Sequence, residues 1–443
     1  MAKIDKVWAR EIIDSRAVPT VEATVVLDNN IWATAAVPSG ASTGSYEAIE
    51  LRDGDMNRFF GKGVLKAVEN VTNVIGPAIK GIEATDQAGL DKKIVNLDGT
   101  KNKSKLGANA TLAVSLAVLK TGAISSGRPV YQYIADLCAG VGVPERRPNE
   151  GFLSRLPVPI FNMINGGLHG AGNLDFQEFH VIPASNKLFA ESLRIGAEVY
   201  VTLEKALERR GAVHSVGDEG GYAPNLFTNM DALEILLETI GETTYVIGQD
   251  LFLGLDTAAS TFYKAGKYAI RDKSSPMGTG ELAEYYKQLN SQYHLVLLED
   301  GFSEDDWAGW KMIRQILGEQ TLIVGDDLLA TNPERVKKAI EEQACNSILV
   351  KPNQIGTVSE TLEVVKLARG AGWKIIMSHR SGESNDSVIA DLAAGTGADF
   401  AKFGAPARGE RVSKYNRLMA IEQELAWNRQ VQINAPVTNA SVK

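Results

Sequence analysis

Cysteine is nearly missing: the 443 residues hold two, Cys138 and Cys345, far apart in the chain. That argues against a disulfide framework and makes a reducing, cytoplasmic setting the expectation. Positive charge is also in short supply. Lys and Arg total 46 against 54 Asp and Glu, a formal charge of −8, so no broad nucleic-acid face is expected, because phosphate neutralisation needs clustered cations. Small anions can still bind locally. Long apolar runs are missing too. The most apolar helical stretch, Leu112 to Leu119, contains Ser115 and falls short of the roughly 20 residues that span a bilayer, so no membrane association is expected. Lys3, Asp5, Lys6, Arg10 and Glu11 break up the start before a signal-peptide core could form.

What is present fits a soluble globular protein with a large core: apolar residues make up 44% and charged residues 23%. The length suits two or three domains, or one large barrel with a smaller partner. Thr20 to Leu27 alternates, Asp28-Asn29-Asn30 turns, and Ile31 to Val37 returns, a half-buried β-hairpin. Val64, Val68, Val71 and Ile75 mark an amphipathic helix, and further helical patterns run over 105–121 and 130–137. Pro144, Pro148, Pro157 and Pro159, with Gly140, Gly142 and Gly151 nearby, mark a linker.

Beyond it, short apolar runs alternate with helical segments: 251–255, 295–298, 322–324, 347–350 and 374–377. Strands buried on both faces read this way, and alternation with helices implies a parallel sheet. The fold class is therefore α/β: a C-terminal modified (β/α)8 barrel over 141–443, with a smaller N-terminal α+β domain over 1–140.

Each apolar run ends in a polar or charged residue: Asp256, Glu299, Asp326, Lys351, Ser378-His379-Arg380, then Lys402. Successive barrel strands would bring these to one rim, where barrel active sites lie. Three converging carboxylates repel unless a divalent cation neutralises them, and hard oxygen ligands suit Mg²⁺. The cations that follow suit an anionic substrate, so one half of the rim is expected to hold metal and the other substrate charge. Lys351, held extended by Pro352, is the preferred general base, its pKa lowered by burial among other cations. Asp300, Asp305, Asp306 and Asp327 read as structural or helix-start acids. Val216-Gly-Asp-Glu-Gly-Gly221 lacks the P-loop Lys-Ser/Thr and dinucleotide spacing, and reads as a tight turn presenting Glu219; Gln177-Glu178 likewise follows a Gly-rich loop containing His169.

Together with Asp14-Ser-Arg16, Val37-Pro-Ser-Gly-Ala-Ser-Thr-Gly44, Leu106-Gly-Ala-Asn109 and Asn165-Gly-Gly167, these segments make the chain resemble the enolase family along nearly its whole length. Gly325-Asp-Asp-Leu328, Asn353-Gln-Ile-Gly356, Ser378-His-Arg-Ser-Gly382 and Gly404-Ala-Pro-Ala-Arg408 complete the resemblance. It implies Mg²⁺-dependent, reversible dehydration of 2-phosphoglycerate to phosphoenolpyruvate, with two Mg²⁺ per site and a homo-oligomer, dimer or octamer. Asp256, Glu299 and Asp326 would hold the first Mg²⁺, and Ser39 on a mobile loop would complete the second. Lys351 would take the C2 proton, and Glu219, assisted by Glu178, would protonate the leaving C3 hydroxyl. Lys402 would pair with the substrate carboxylate and Arg380 with Ser381 would hold the phosphate, with His169 and His379 closing around it and Gln177 nearby. The chain departs from the family at Ala17-Val18, Gly301, Pro352 and Asn385. A silent relative would have lost Lys351 or Glu219; both are present.

Overall fold

The computed structural model describes residues 2–40, 44–145, 153, 155–170 and 172–434, with side chains to residue 428. Ala41-Ser42-Thr43 of the Val37–Gly44 motif, Pro148 and Gly151 of the linker, and the last nine residues lie outside the described residues.

The N-terminal part carries a three-stranded antiparallel sheet, β1 (Ile4–Ile13), β2 (Pro19–Leu27) and β3 (Trp32–Ala36), in that order. The hairpin is β2–β3; β1 is an additional strand whose Lys6, Arg10 and Glu11 suit an edge. Because β2 is central, its Thr20 and Thr24 are buried along with Val21, Ala23 and Val25 rather than facing water. The Thr20 hydroxyl is satisfied by the Val37 carbonyl at 2.8 Å.

The expected helix over 64–75 is split. It runs Leu65–Glu69, widens into a π-turn segment over Asn70–Ile75 and resumes at Gly76–Ile79. The buried stripe is Val64, Ala67, Val71, Ile75 and Ile79, and Val68 is pushed to its margin, as an extra residue per turn rotates the face. The helix Ala108–Ser125 is long and apolar enough to cross a membrane, but 83% of it is buried inside the protein. It packs on β2, β3 and the barrel helix Val358–Gly370.

Eight strands close the barrel. In chain order they are β4 (Val158–Asn165), β5 (Glu178–Pro183), β6 (Leu251–Asp256), then, after a small hairpin of β7 (Tyr263–Lys264) and β8 (Lys267–Tyr268), β9 (Leu295–Glu299), β10 (Leu322–Gly325), β11 (Ser347–Val350), β12 (Lys374–Ser378) and β13 (Phe400–Lys402). All neighbours are parallel except β5, which runs antiparallel to both β4 and β6. That reversed strand is the barrel's irregularity. Ile160, Ile182, Leu297, Val324, Leu349 and Ile376 fill the lumen as a separate apolar cluster, each burial worth about 1.5–3 kcal/mol.

The helix Pro333–Glu341 starts as its sequence specifies, with the Asn332 side chain accepting from Glu334 N at 2.9 Å. Asp306 is likewise a helix cap, accepting from Gly309 N at 3.0 Å. Among the departures, Ala17 sits at φ +59°, where a Cβ costs about 1–2 kcal/mol. Asp14 Oδ1 holds that turn by accepting from Arg16 N at 2.8 Å and Val18 N at 2.9 Å. Pro352 is buried at the start of a short 3₁₀ turn, and Asn385 is exposed.

Candidate active site

Side chains two residues apart on a strand share a face. From the apolar lumen layer, one such step toward the strands' C-terminal ends gives Glu299, Asp326, Lys351 and Ser378; Asp256 ends β6 and Lys402 ends β13. On reversed β5 the same rim is reached by stepping back from Ile182 through His180 to Glu178. Pro352 keeps Lys351 extended, at φ −124° and ψ 103°.

Around the barrel the acids stand on three adjacent strands, β6, β9 and β10, and the cations on the next three, β11 to β13, as expected, but the lysine side chains reach over to the acids. Closing β13 onto β4 carries Lys402 to the acids: its Nζ lies 2.8 and 2.9 Å from the Glu299 oxygens, 3.2 Å from Asp256 Oδ2 and 3.3 Å from Glu178 Oε2. Lys351 donates to Asp326 Oδ2. Buried carboxylates require counter-charge, and these lysines supply it. Gln177 Nε2 reaches Asp256 Oδ2 at 3.3 Å.

This arrangement reverses one expectation. Burial pushes the Lys351 ammonium down, and Arg380 and Lys402 push the same way, yet Asp326 and Glu299 outweigh them and its pKa lies above the ordinary lysine value. Burial, Asp256 and Asp326 hold the Glu299 carboxyl well above its ordinary value despite Lys402. A site that penalises its own carboxylate charge in this way is short of positive charge. All-oxygen donors of that kind fit a hard divalent cation. The Asp300 carboxylate accepts from Asp326 N at 3.0 Å and Asp327 N at 2.9 Å, fixing the segment that presents Asp326. The oxygens of Asp300, Asp326 and Asp327 also converge closely enough to hold an ion.

A second cluster joins carboxylates to imidazoles. The turn presenting Glu219 is closed by Gly217 N to Gly221 O at 2.8 Å and Gly220 N to Gly217 O at 3.1 Å. Glu219 Oε2 lies 3.1 Å from His379 Nε2, and Glu219 Oε1 lies 3.5 Å from His169 Nδ1, which is itself 3.3 Å from Glu178 Oε1. Burial and Glu178 work to raise the Glu219 pKa, but His379 and His169 prevail and hold it at about 2. For His169 burial works downward, while Glu219 and Glu178 lift it to about 8. The acid pair is thus ionised here, with a protonated imidazole against it. Burial, reinforced by Arg411, lowers the His379 pKa despite Glu219. Arg411 Nη1 lies 2.6 Å from His379 Nδ1; an arginine can only donate, so His379 carries its proton on Nε2, toward Glu219. Gly404, at φ +84°, has no room for a side chain: a Cβ would sit 2.6 Å from the Glu219 carbonyl and 3.0 Å from His379.

Arg380 is fully buried and held by Glu47 Oε2 at 2.8 Å and Asn353 Oδ1 at 3.1 Å. Burial acts against its charge, but Glu47 and Glu50 raise its pKa further. Ser381 adjoins it, its carbonyl accepting from Arg411 Nη2 at 2.6 Å. Ser39 is buried beside Asp14. Its hydroxyl donates to Asp14 Oδ2 at 2.6 Å, Arg16 donates to it at 3.1 Å, and its backbone bridges Gly382. No described hydrogen bond ties it to the carboxylate rim; the extended backbone bridge directs it to the domain seam. Glu47, Asn162, His180 and Arg411 escaped sequence reasoning. Only His180 carried a signal, its two-residue spacing from Glu178 on a strand.

A closed barrel with a reversed second strand, carrying acids, two lysines and a histidine–glutamate cluster at one rim, defines a barrel enzyme built to move protons beside a stabilised anion. Residues 4–134 match the family model described as Enolase, N-terminal domain, and residues 154–436 that described as Enolase, C-terminal TIM barrel domain. The chain therefore belongs to the enolase family, whose members are hydro-lyases.

Proposed function

We propose that this protein catalyses the reversible dehydration of 2-phospho-D-glycerate to phosphoenolpyruvate and requires Mg²⁺. The observation that supports the reading is the convergence of Asp256, Glu299 and Asp326 with Lys351 and Lys402 at one rim, beside the Glu178–His169–Glu219 cluster. In this reading the three carboxylates hold Mg²⁺, which supplies counter-charge to them and to the negative charge that develops on the substrate carboxylate. Two Mg²⁺ per site belong to the proposal, with Ser39, whose hydroxyl here donates to Asp14, completing the second.

Lys351 abstracts the C2 proton. Asp326 and Glu299 raise the Lys351 pKa, and a cation held by both would offset them, leaving burial, Arg380 and Lys402 to favour the neutral amine. Lys402 pairs with the substrate carboxylate, and Arg380 with Ser381 binds the phosphate. Glu219 and Glu178 deliver a proton to the leaving C3 hydroxyl, and His169 holds that proton between them. Gln177 steadies Asp256, and His379 steadies Glu219. A cytoplasmic location belongs to the same proposal, supported by Cys138 and Cys345 being buried free thiols. So does a homo-oligomer, dimer or octamer, supported by the exposure of Trp8 and Trp32 on the N-terminal sheet. The test is phosphoenolpyruvate formation from 2-phosphoglycerate with Mg²⁺ and after chelation. Turnover that survives chelation, or no turnover in Mg²⁺, would overturn the assignment.

A further inference from the structure

We infer that His180 is a positioning residue for Glu178, and through it for the proton-donating side of the site; this rests on the functional reading given for Glu178 and Glu219. On β5 the residues Glu178, His180 and Ile182 share the lumen face. Ile182 belongs to the apolar lumen cluster, and His180, with no exposed surface, lies directly above it. His180 Nε2 is 2.9 Å from Glu178 Oε2.

The other ring nitrogen, Nδ1, is buried and has no hydrogen-bond partner among the described residues. A neutral imidazole donates from one nitrogen only, and an ionised Glu178 can only accept, so the proton lies on Nε2 and the Nδ1 lone pair is unmet. Leaving such a buried acceptor unmet is destabilising. An apolar side chain would remove that cost and extend the apolar cluster upward by one layer. Stability alone therefore disfavours histidine here, and its one evident return is the bond to Glu178.

That bond settles a competition. Glu178 Oε2 also lies 3.3 Å from Lys402 Nζ, whose nearer partners are Glu299 and Asp256. Without His180, Lys402 would be the one remaining anchor described on that oxygen and would draw Glu178 toward the metal-side acids. With His180 beneath it, Oε2 is fixed from a second direction and Oε1 continues to face His169 at 3.3 Å. The result is an alternating row, His180–Glu178–His169–Glu219–His379, closed by Arg411.

The experiment uses the full chain in Mg²⁺ with 2-phosphoglycerate as substrate, and compares the steady-state dehydration parameters, kcat and KM, with the rate of C2 proton exchange. His180→Leu should lower kcat about tenfold, while KM and C2 exchange stay within about twofold of the wild type. His180→Gln, whose amide N–H reaches nearly as far as Nε2, should recover most of the loss, and His180→Asn, whose amide is shorter, should not. An unchanged kcat in His180→Leu overturns the inference, as does exchange falling in step with dehydration. If the leucine variant does not fold, the amide pair decides: Gln above Asn supports the inference, and equal rates overturn it. A wild-type protein inactive on 2-phosphoglycerate would overturn the functional reading and this inference together, whereas an active wild type with an indifferent leucine variant overturns this inference alone.

Discussion

Leu297 and Glu299, Val324 and Asp326, and Leu349 and Lys351 are pairs two residues apart, the second of each at the end of the strand or one residue past it. The lower member of each pair belongs to an apolar cluster that excludes water. The upper member is a buried or half-buried charged group set against opposite charge, an arrangement that adds little to stability and is costly to break. One strand rise therefore separates a layer that stabilises the barrel from a layer that carries chemistry. The second layer depends on the first: without a dry floor, the rim charges would be hydrated and their mutual shifts lost.

Substitutions can break that separation or sharpen it. The largest effect should come from Lys351→Ala, with dehydration falling at least about 10³-fold and C2 proton exchange disappearing. Retained exchange would remove Lys351 as the base. Glu219→Gln should lower dehydration about 10²-fold while C2 exchange persists, and simultaneous loss of both would make Glu219 structural. In the lower layer, Leu349→Ala should cost about 2–5 kcal/mol in urea denaturation, with activity per folded molecule nearly unchanged. An activity loss matching that of Lys351→Ala would erase the distinction between layers.

The smallest effect concerns pH. His169 has a folded-state pKa of about 8 against an ordinary 6.5. A raised histidine stabilises the fold fully below its unfolded pKa, and that contribution disappears as pH rises through the folded one. Metal-free protein should therefore lose on the order of 1 kcal/mol between pH about 6.5 and about 8. His169→Gln should flatten this slope in the urea midpoint; an unchanged slope would mean that His169 is not the titrating group.

Strand ends, the cap at Asn332 and the turn around Glu219 were legible because each depends on residues adjacent in the chain. The edge strand β1 was not, since its charges mask a pattern that only pairing with β2 reveals. The π-turn in the segment 70–75 was hidden for a related reason: an extra residue in one turn leaves the apolar spacing nearly unchanged. Glu47 and Arg380 are 333 residues apart, and Arg411 and His379 are 32 apart with no shared motif. Nothing local predicts either contact. The raised pKa of Lys351 was missed because the sequence reading grouped it with the cations that follow, whereas its partner in space is Asp326, the strand-end acid just before it.

By itself the sequence determined which side chains stand at strand ends, on which face, and in what order of charge, because those properties follow from a two-residue repeat and from proline, glycine and cap chemistry. Only the tertiary structure decided which of them meet. Lys402 reaches Glu178, Asp256 and Glu299 because closing β13 onto β4 shortens a long chain separation to a few ångströms across the lumen. Ser39 likewise meets Asp14, to which its hydroxyl donates at 2.6 Å, through a contact no local pattern predicts. Coulomb energies depend on distance through space and on burial, and neither is a property of position along the chain.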